Sequence, residues 1–399
     1  MGDTRTLLVI SAQPEPDLAE RIAAGEQPRR DYLELRRALG ADLLVPGDVT
    51  ADPLGRLVAR AGGMRLGLAW LAFRRRARYD VIYTDGEGVG LPLAAMLRLA
   101  LVRPSQPRHV MLTHYLSPAK KRIWFKLGVR SHIDALICHA SAQRELAVSE
   151  LGMAAERVRL LPYFADERFW QAERAQVPAG EHPERPVICG VGLEHRDYAT
   201  LLAAADGLPA DIEIAAASYW SHHSAFAGHP TLPTNVHVQA YGYAPLRDLY
   251  ARSRFVVVPL LNVDNQSGIT VILEAMAMGK AVIVTGTRGQ TDVVRDRRSG
   301  GRGRMPRQWW PGFVDAPGLA EGLGALPTGF YVTPGDASEL GRAMRYLLAH
   351  PDVADELGRN GRRVVEACFG LDAFTRRFAA VIRGEDVPTD TPAGVSAGA

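Results

Sequence analysis

A chain of 399 residues is longer than one hydrophobic core usually serves, so two domains is the natural expectation. At 47% hydrophobic and 23% charged residues, the composition is that of an ordinary globular protein. A formal net charge of +3 is too small to point to nucleic acid, and no apolar run is long enough to span a bilayer. The closest run, 66–73, is short and flanked by arginines. No secretory signal precedes the first apolar stretch. Cys138, Cys189 and Cys368 are scattered, with no metal-ligand or redox spacing, which predicts buried free thiols and fits a reducing cytosol.

Apolar runs alternate with helix-period stretches throughout. The N-terminal half predicts strands over 6–10, 42–45, 80–84, 109–113, 135–139 and 158–161, with helices over 31–39, 91–101 and 142–151. Residues 171–186 are rich in Pro, Glu, Gln, Arg and Ala and read as an interdomain linker. The alternation restarts with strands at 187–191, 212–216, 236–239, 255–258, 281–284 and 329–332. Helices are expected at 198–206, 246–251, from about 267–270 to 279, and at 337–350, 351–367 and 371–382. This pattern predicts an α/β chain of two doubly wound parallel sheets. The expected division is an N-terminal domain over 1–170, the linker, a C-terminal domain over 187–370, a last helix at 371–383 and a disordered tail at 384–399. Residues 295–328 form a long Gly/Arg/Pro insertion with Trp309 and Trp310, the kind of loop that is functional or disordered.

The most informative stretch is 253–292, which reads as strand, polar loop, helix, strand. Its Ser267-Gly268 turn opens a helix, so free backbone N–H groups point at the loop, and such an end attracts phosphate. Ser267 is also placed to cap that helix with its hydroxyl. Glu274 falls in the second turn of an otherwise apolar run, where a carboxylate is costly without a partner. Arg196 follows the strand 187–191 in Val-Gly-Leu-Glu-His-Arg-Asp-Tyr, with Gly192 at the strand end and His195 beside it. His114 closes the strand 109–113, at the end of a strand where sheet ligands bind. Asp85-Gly-Glu-Gly-Val-Gly follows the strand 80–84 and reads as a crevice loop in which Asp85 and Glu87 can hydrogen-bond a hydroxyl.

The stretch around Glu274 resembles the donor-site segment of retaining GT-B glycosyltransferases of family four. Those carry a Glu, seven residues, a second Glu, then Ala-Met-Ala-x-Gly. Glu274, Ala275, Met276, Ala277 and Gly279 match, and Gln266 stands where the first Glu would be. The sequence Pro-Tyr-Phe-Ala-Asp at 162–166, with Phe169, resembles the end of that family's N-terminal domain. The resemblance implies the GT-B fold, two Rossmann-like domains facing across a cleft, with the last helix crossing back to the first domain. It implies that Arg196 takes the position of the family's diphosphate-binding Lys, while Leu193 stands where the family has an Arg. It further implies that Gly192, Arg196 and the turn Gln266, Ser267, Gly268, Ile269 and Thr270 bind the donor, with Gln266 toward sugar hydroxyls. Glu274 would hold the ribose, and His114 would stand near the reacting sugar. Catalytic roles fall on His114, Arg196 and Gln266, and Asp85 and Glu87 lie on the acceptor side.

These readings converge on a metal-independent, retaining glycosyltransferase without a cofactor. It would use a nucleoside diphosphate sugar as co-substrate and a small-molecule or lipid-linked acceptor hydroxyl, in the cytoplasm. Two basic, aromatic stretches, 65–78 around Trp70 and 120–130 around Trp124, leave a peripheral contact at the inner membrane face open. A GT-B epimerase or phosphorylase, and a catalytically silent nucleotide-binding subunit, stay open as alternatives.

Overall fold

The computed structural model describes residues 4–100, 106–176, 185–216, 232–297 and 326–387. They divide into two compact units. The first comprises 4–20, 29–162 and 372–387, and the second 21–28 and 163–371. The insertion at 295–328 and the tail fall almost wholly outside the described residues, as do 177–184 of the expected linker.

The first unit is a six-stranded sheet in the order β2-β1-β3-β4-β5-β6. Its strands are β1 (Thr6–Val9), β2 (Asp42–Leu44), β3 (Val81–Thr84), β4 (Arg108–Thr113), β5 (Ala135–Cys138) and β6 (Val158–Leu160). Every pairing is parallel. The inner strands are unbroken buried runs, which is what a sheet covered on both faces requires. The connections carry α1 (Leu18–Ala23), α2 (Asp31–Leu39), α3 (Pro46–Ala51), α4 (Pro53–Gly62), α5 (Met64–Arg75), α6 (Glu87–Leu99), α7 (Ala119–Lys126) and α8 (Ser141–Ser149). Helix α6 starts at Glu87 rather than in the nineties, because the Gly-rich run after β3 is already helical. The last helix, Leu371–Arg383, belongs to this unit. Phe374 and Phe378 stack on each other and lie beside His139, and Asp372 pairs with Arg29 at 2.7 Å. Arg108 donates to the carbonyls of Val381 and Ile382.

The second unit is a parallel sheet in the order β12-β11-β10-β7-β8-β9. Its strands are β7 (Val187–Val191), β8 (Asp211–Ala215), β9 (Val236–Gln239), β10 (Phe255–Val258), β11 (Ala281–Thr285) and β12 (Gly329–Val332). Helices α9 (Tyr198–Ala205), α10 (Tyr243–Arg252), α11 (Ile269–Ala277), α12 (Ala337–Ala349) and α13 (Pro351–Val364) cover it. Helix α13 ends three residues before the expected position and passes into a π-helical turn, Val365–Phe369. The compact units divide at 162/163 rather than in 171–186. The reason is packing. Phe169 and Trp170 are fully buried in the second core, where the Trp170 ring lies 5.6 Å from that of Tyr250. Large buried aromatics of this kind dominate core energetics, so the chain belongs to the second core well before the Pro-rich stretch.

In each sheet the order reverses once. In the first unit the reversal lies between β1 and β3, and in the second between β7 and β10. Loops leaving the carboxyl ends of two such strands diverge, and the crevice between them is where open α/β sheets bind ligands.

Candidate active site

The reversal in the second sheet brings two sequence-predicted loops together. After β7 the chain turns at Gly192, whose φ is +103°. A Cβ built there would stand 2.2 Å from Arg196 Nη2, so both backbone and space demand glycine. His195 takes a left-handed φ of +53°. The loop after β10 then pairs with it. Leu261 N donates to the His195 carbonyl (2.9 Å), Asp197 N to that of Pro259 (3.1 Å), and Arg196 bridges Leu260.

Arg196 is partly buried. Its Nε donates to the Val191 carbonyl and Nη1 to that of Glu194, both at 2.8 Å. Burial pulls its pKa below the usual guanidinium value. Those two bonds use two of the five guanidinium N–H groups. The side chain reaches the second loop, since a Cβ at Gly268 would lie 3.6 Å from Nη1.

The Ser267-Gly268 turn departs from its expected geometry in one respect. Ser267 does not cap helix α11. The N-cap is Gly268, in the left-handed conformation at φ +80° with no side-chain cap. The Ser267 hydroxyl instead donates to Asn265 Oδ1 (2.9 Å), so its lone pairs face His195 Nδ1 at 3.0 Å, which must then be the donor. With no cap, the first amides of α11 have no side-chain acceptor at the N-cap. Gln290, completely buried, braces the turn by donating Nε2 to the Ser267 carbonyl at 2.8 Å. Gln266 lies on this turn with its Oε1 buried and without a hydrogen-bond partner, and Thr287 Oγ1 and Gln290 Oε1 share that condition. Leu193, which stands where the resembling family has an Arg, is exposed.

Glu274 is buried in α11 and accepts from the Tyr250 hydroxyl (3.1 Å). Burial, then the Glu274 charge, pushes the Tyr250 phenol well above its ordinary pKa, so it stays a neutral donor. Neither Gln290 nor Tyr250 was visible as a site residue in the sequence. Both come from other elements, and nothing in the order of residues announces whom they touch.

The first unit gathers its groups at its own reversal. Asp85, after β3, accepts from Ser11 N (2.7 Å) and Ser11 Oγ (2.8 Å), after β1, through Oδ2. Its Oδ1 is buried without a partner, and burial raises the carboxyl pKa despite the Ser11 bonds. Glu87 is not available as an acceptor-side group. Oε1 is held by Lys121 Nζ at 2.6 Å, and Oε2 by His114 N (3.0 Å) and Thr113 Oγ1 (3.3 Å). Burial alone would raise its pKa. The Lys121 ammonium and the His114 N–H more than offset that and lower it. Glu87 is thus a brace for His114, and Lys121, from the basic stretch 120–130, is drawn inward to it. His114 Nε2 lies 3.0 Å from the Asp85 carbonyl. A carbonyl only accepts, so Nε2 carries the proton and a neutral ring presents Nδ1 as an acceptor.

Among the described residues no group of three His, Cys, Asp or Glu side chains could hold a metal ion. The three cysteines are buried and free, and burial pushes the Cys138 and Cys189 thiols far up. No described helix is long and apolar enough to cross a membrane.

Residues 210–306 match the family model described as Glycosyl transferases group 1. The chain carries a group 1 glycosyltransferase segment on a GT-B fold. Among solved structures, sucrose-phosphate synthase from Thermosynechococcus elongatus is similar at 17% identity and a TM-score of 0.65, over 95% of this chain and 98% of that one. HepE of Anabaena, solved with UDP and glucose, is similar at 14% identity and 0.64, over 95% and 99%. A trehalose-6-phosphate synthase, described in terms of glycosyltransfer with retention, is similar at 14% identity and 0.59, over 96% and 100%. No curated protein matches by sequence. The family segment and the fold agree on one class of enzyme, a transferase of glycosyltransferase type. The group 1 segment begins just before β8 and runs past β11, and so contains the Gln266–Thr270 turn and Glu274.

Proposed function

We propose that this glycosyltransferase moves a sugar from a nucleoside diphosphate sugar to an acceptor hydroxyl, with retention of configuration and without a resident metal or cofactor. The observation that carries the reading is the meeting of the β7 and β10 loops at the sheet reversal, which puts Arg196 against the opening of α11. A partly buried guanidinium with N–H groups to spare and uncapped helix amides are what a leaving diphosphate needs.

On this reading the second unit takes the donor. The amides of Gly268, Ile269 and Thr270 and the Arg196 guanidinium hold the diphosphate, and Glu274 holds the ribose. Gln266 Oε1, unpartnered within the protein, accepts from a sugar hydroxyl. The first unit takes the acceptor, with Asp85 Oδ1 toward a hydroxyl and His114 toward the reacting sugar. The anomeric carbon–oxygen bond to the diphosphate breaks, and the acceptor oxygen bonds to the same carbon on the same face. The acceptor proton passes to the departing phosphate oxygen, so no protein base is required. Charge developing on the diphosphate is met by Arg196 and the helix amides, the role a divalent cation fills elsewhere. The structures of HepE with UDP and UDP-glucose support a uridine donor as the first to try.

The test is a thermal-shift panel of nucleoside diphosphates and their sugars. A ligand at 100 times its Kd adds about 2.7 kcal/mol to the native state. One base should raise the melting temperature and others leave it unchanged. A flat panel would refute the reading. A catalytically silent nucleotide-binding subunit is the second reading, favoured by Leu193 in place of a cation, and it predicts stabilisation without turnover.

A further inference from the structure

Between Pro53 and Arg78 the chain carries arginines at 56, 60, 65, 74, 75, 76 and 78 and no aspartate or glutamate. Three of these are engaged within the first unit. Arg74 pairs with Asp52 at 3.4 Å and lies over Trp70, Arg76 donates to the Phe73 carbonyl and covers its ring, and the Arg65 stem lies against Gly88. Arg56, Arg60, Arg75 and Arg78 have no ion-pair partner among the described residues.

Helix α4 explains how this charge is presented. At 100° per residue its ten residues show three faces. Gly55 and Ala59 form the small-residue face that packs inward, and Gly62 continues it at the exposed end of the helix. Ala59 meets Gly67 of α5, and Gly62 meets Leu66. Arg56 and Arg60 form a second face, and both are exposed. Leu54, Leu57, Val58 and Ala61 form the third. Leu54 is 52% and Leu57 63% exposed, although leucines on a soluble helix are normally turned to the core. The outward surface of α4 is therefore half leucine and half arginine, with no acid in the helix.

We propose that this face of α4 is a docking surface for an anionic phospholipid bilayer. Leu54 and Leu57 enter the interface and Arg56 and Arg60 stay at headgroup level, with Arg75 and Arg78 adding to the attraction. The charge selects this occupant over a second copy of the chain, because apposing two α4 faces would set Arg56 and Arg60 against a like-charged face with no acid to answer them. Interfacial helices bind by this combination of exposed apolar area and cationic flank. Each arginine near the surface is worth about a fivefold gain in partitioning onto anionic lipid.

The experiment is sedimentation of the full chain with phosphatidylcholine vesicles, with and without phosphatidylglycerol, at roughly physiological ionic strength. The wild type should partition at least about tenfold more strongly onto the anionic vesicles, since several arginines act together. L54S/L57S should lose at least about tenfold, the scale of two partly buried leucines. R56Q/R60Q should lose about as much and shed most of its salt dependence. All four side chains are exposed, so the variants should melt as the wild type does, and nucleotide-induced stabilisation should be unchanged. The proposal is overturned if the wild type ignores anionic vesicles, or if L54S/L57S binds as well as the wild type. It is equally overturned if binding is lost only in I123S/L127S, at the C-terminal end of the basic helix α7. A dimer in solution that L54S/L57S dissolves, with no vesicle binding, would instead assign the face to a second copy.

Discussion

Arg196→Ala removes a partly buried guanidinium that reaches both loops of the candidate site. The wild-type side chain spends two N–H groups on the Val191 and Glu194 carbonyls and keeps three for a ligand. Losing a charged hydrogen bond to phosphate costs about 1.5–3 kcal/mol, which is roughly a 10- to 150-fold rise in Kd. A second effect runs in parallel. The two carbonyls lose their partner, so the unliganded protein should also melt at lower temperature, by an amount that depends on how easily water reaches the loop. Calorimetric titration with the diphosphate identified by the thermal-shift panel separates the two, because affinity is read on the folded fraction. Arg196→Lys keeps the charge but not the fork. A single ammonium cannot serve both the carbonyls and the phosphate, so it should restore only part of the affinity. If Arg196→Ala binds the diphosphate as tightly as the wild type while melting earlier, Arg196 is a brace for the β7 loop and nothing more.

Glu274→Gln keeps an acceptor for the Tyr250 hydroxyl, so folding should survive, while affinity for a ribonucleotide should fall about tenfold more than for its 2′,3′-dideoxy analogue; equal losses would make Glu274 structural. His114→Ala should lower turnover about 100-fold with diphosphate affinity within about twofold, as expected for a contact made mainly in the reacting complex; wild-type turnover would remove it from catalysis. Gln266→Glu places a charge on an atom now buried and unpartnered, and initial rates across a panel of donor sugars should change rank; an identical ranking at identical rates would show that the side chain faces away from the sugar.

Much of this architecture is legible in the chain. The strands at 187–191, 236–239, 255–258 and 329–332 fall where their apolar runs predict, because strands of a covered parallel sheet are short and bounded by Gly, Pro and polar turns. Helices α3 and α4 are not announced, and the reason lies in their packing. In α4, Gly55 and Ala59 make a close-fitting face of small residues, so the side that packs inward carries no large apolar stripe for periodicity to detect. The loops of the candidate site could be read from Gly192, Arg196 and the Ser267-Gly268 turn, since each residue type has a local reason to be there. The partners could not. Glu87 looks like a free carboxylate until the His114 backbone and Lys121 arrive from 27 and 34 residues away. The Ser267 hydroxyl looks like a helix cap until Asn265 and His195 claim it.

On the proposed function, a nucleoside diphosphate binds at the β7–β10 reversal of the second unit. A crystal structure of the chain soaked with the diphosphate that stabilises it tests this most directly. Phosphate oxygens should lie within hydrogen-bonding distance of Arg196 and of the backbone amides at 268–270, with the ribose hydroxyls against Glu274. A diphosphate bound elsewhere, with Arg196 still turned only to Val191 and Glu194 and the opening of α11 empty, would contradict it.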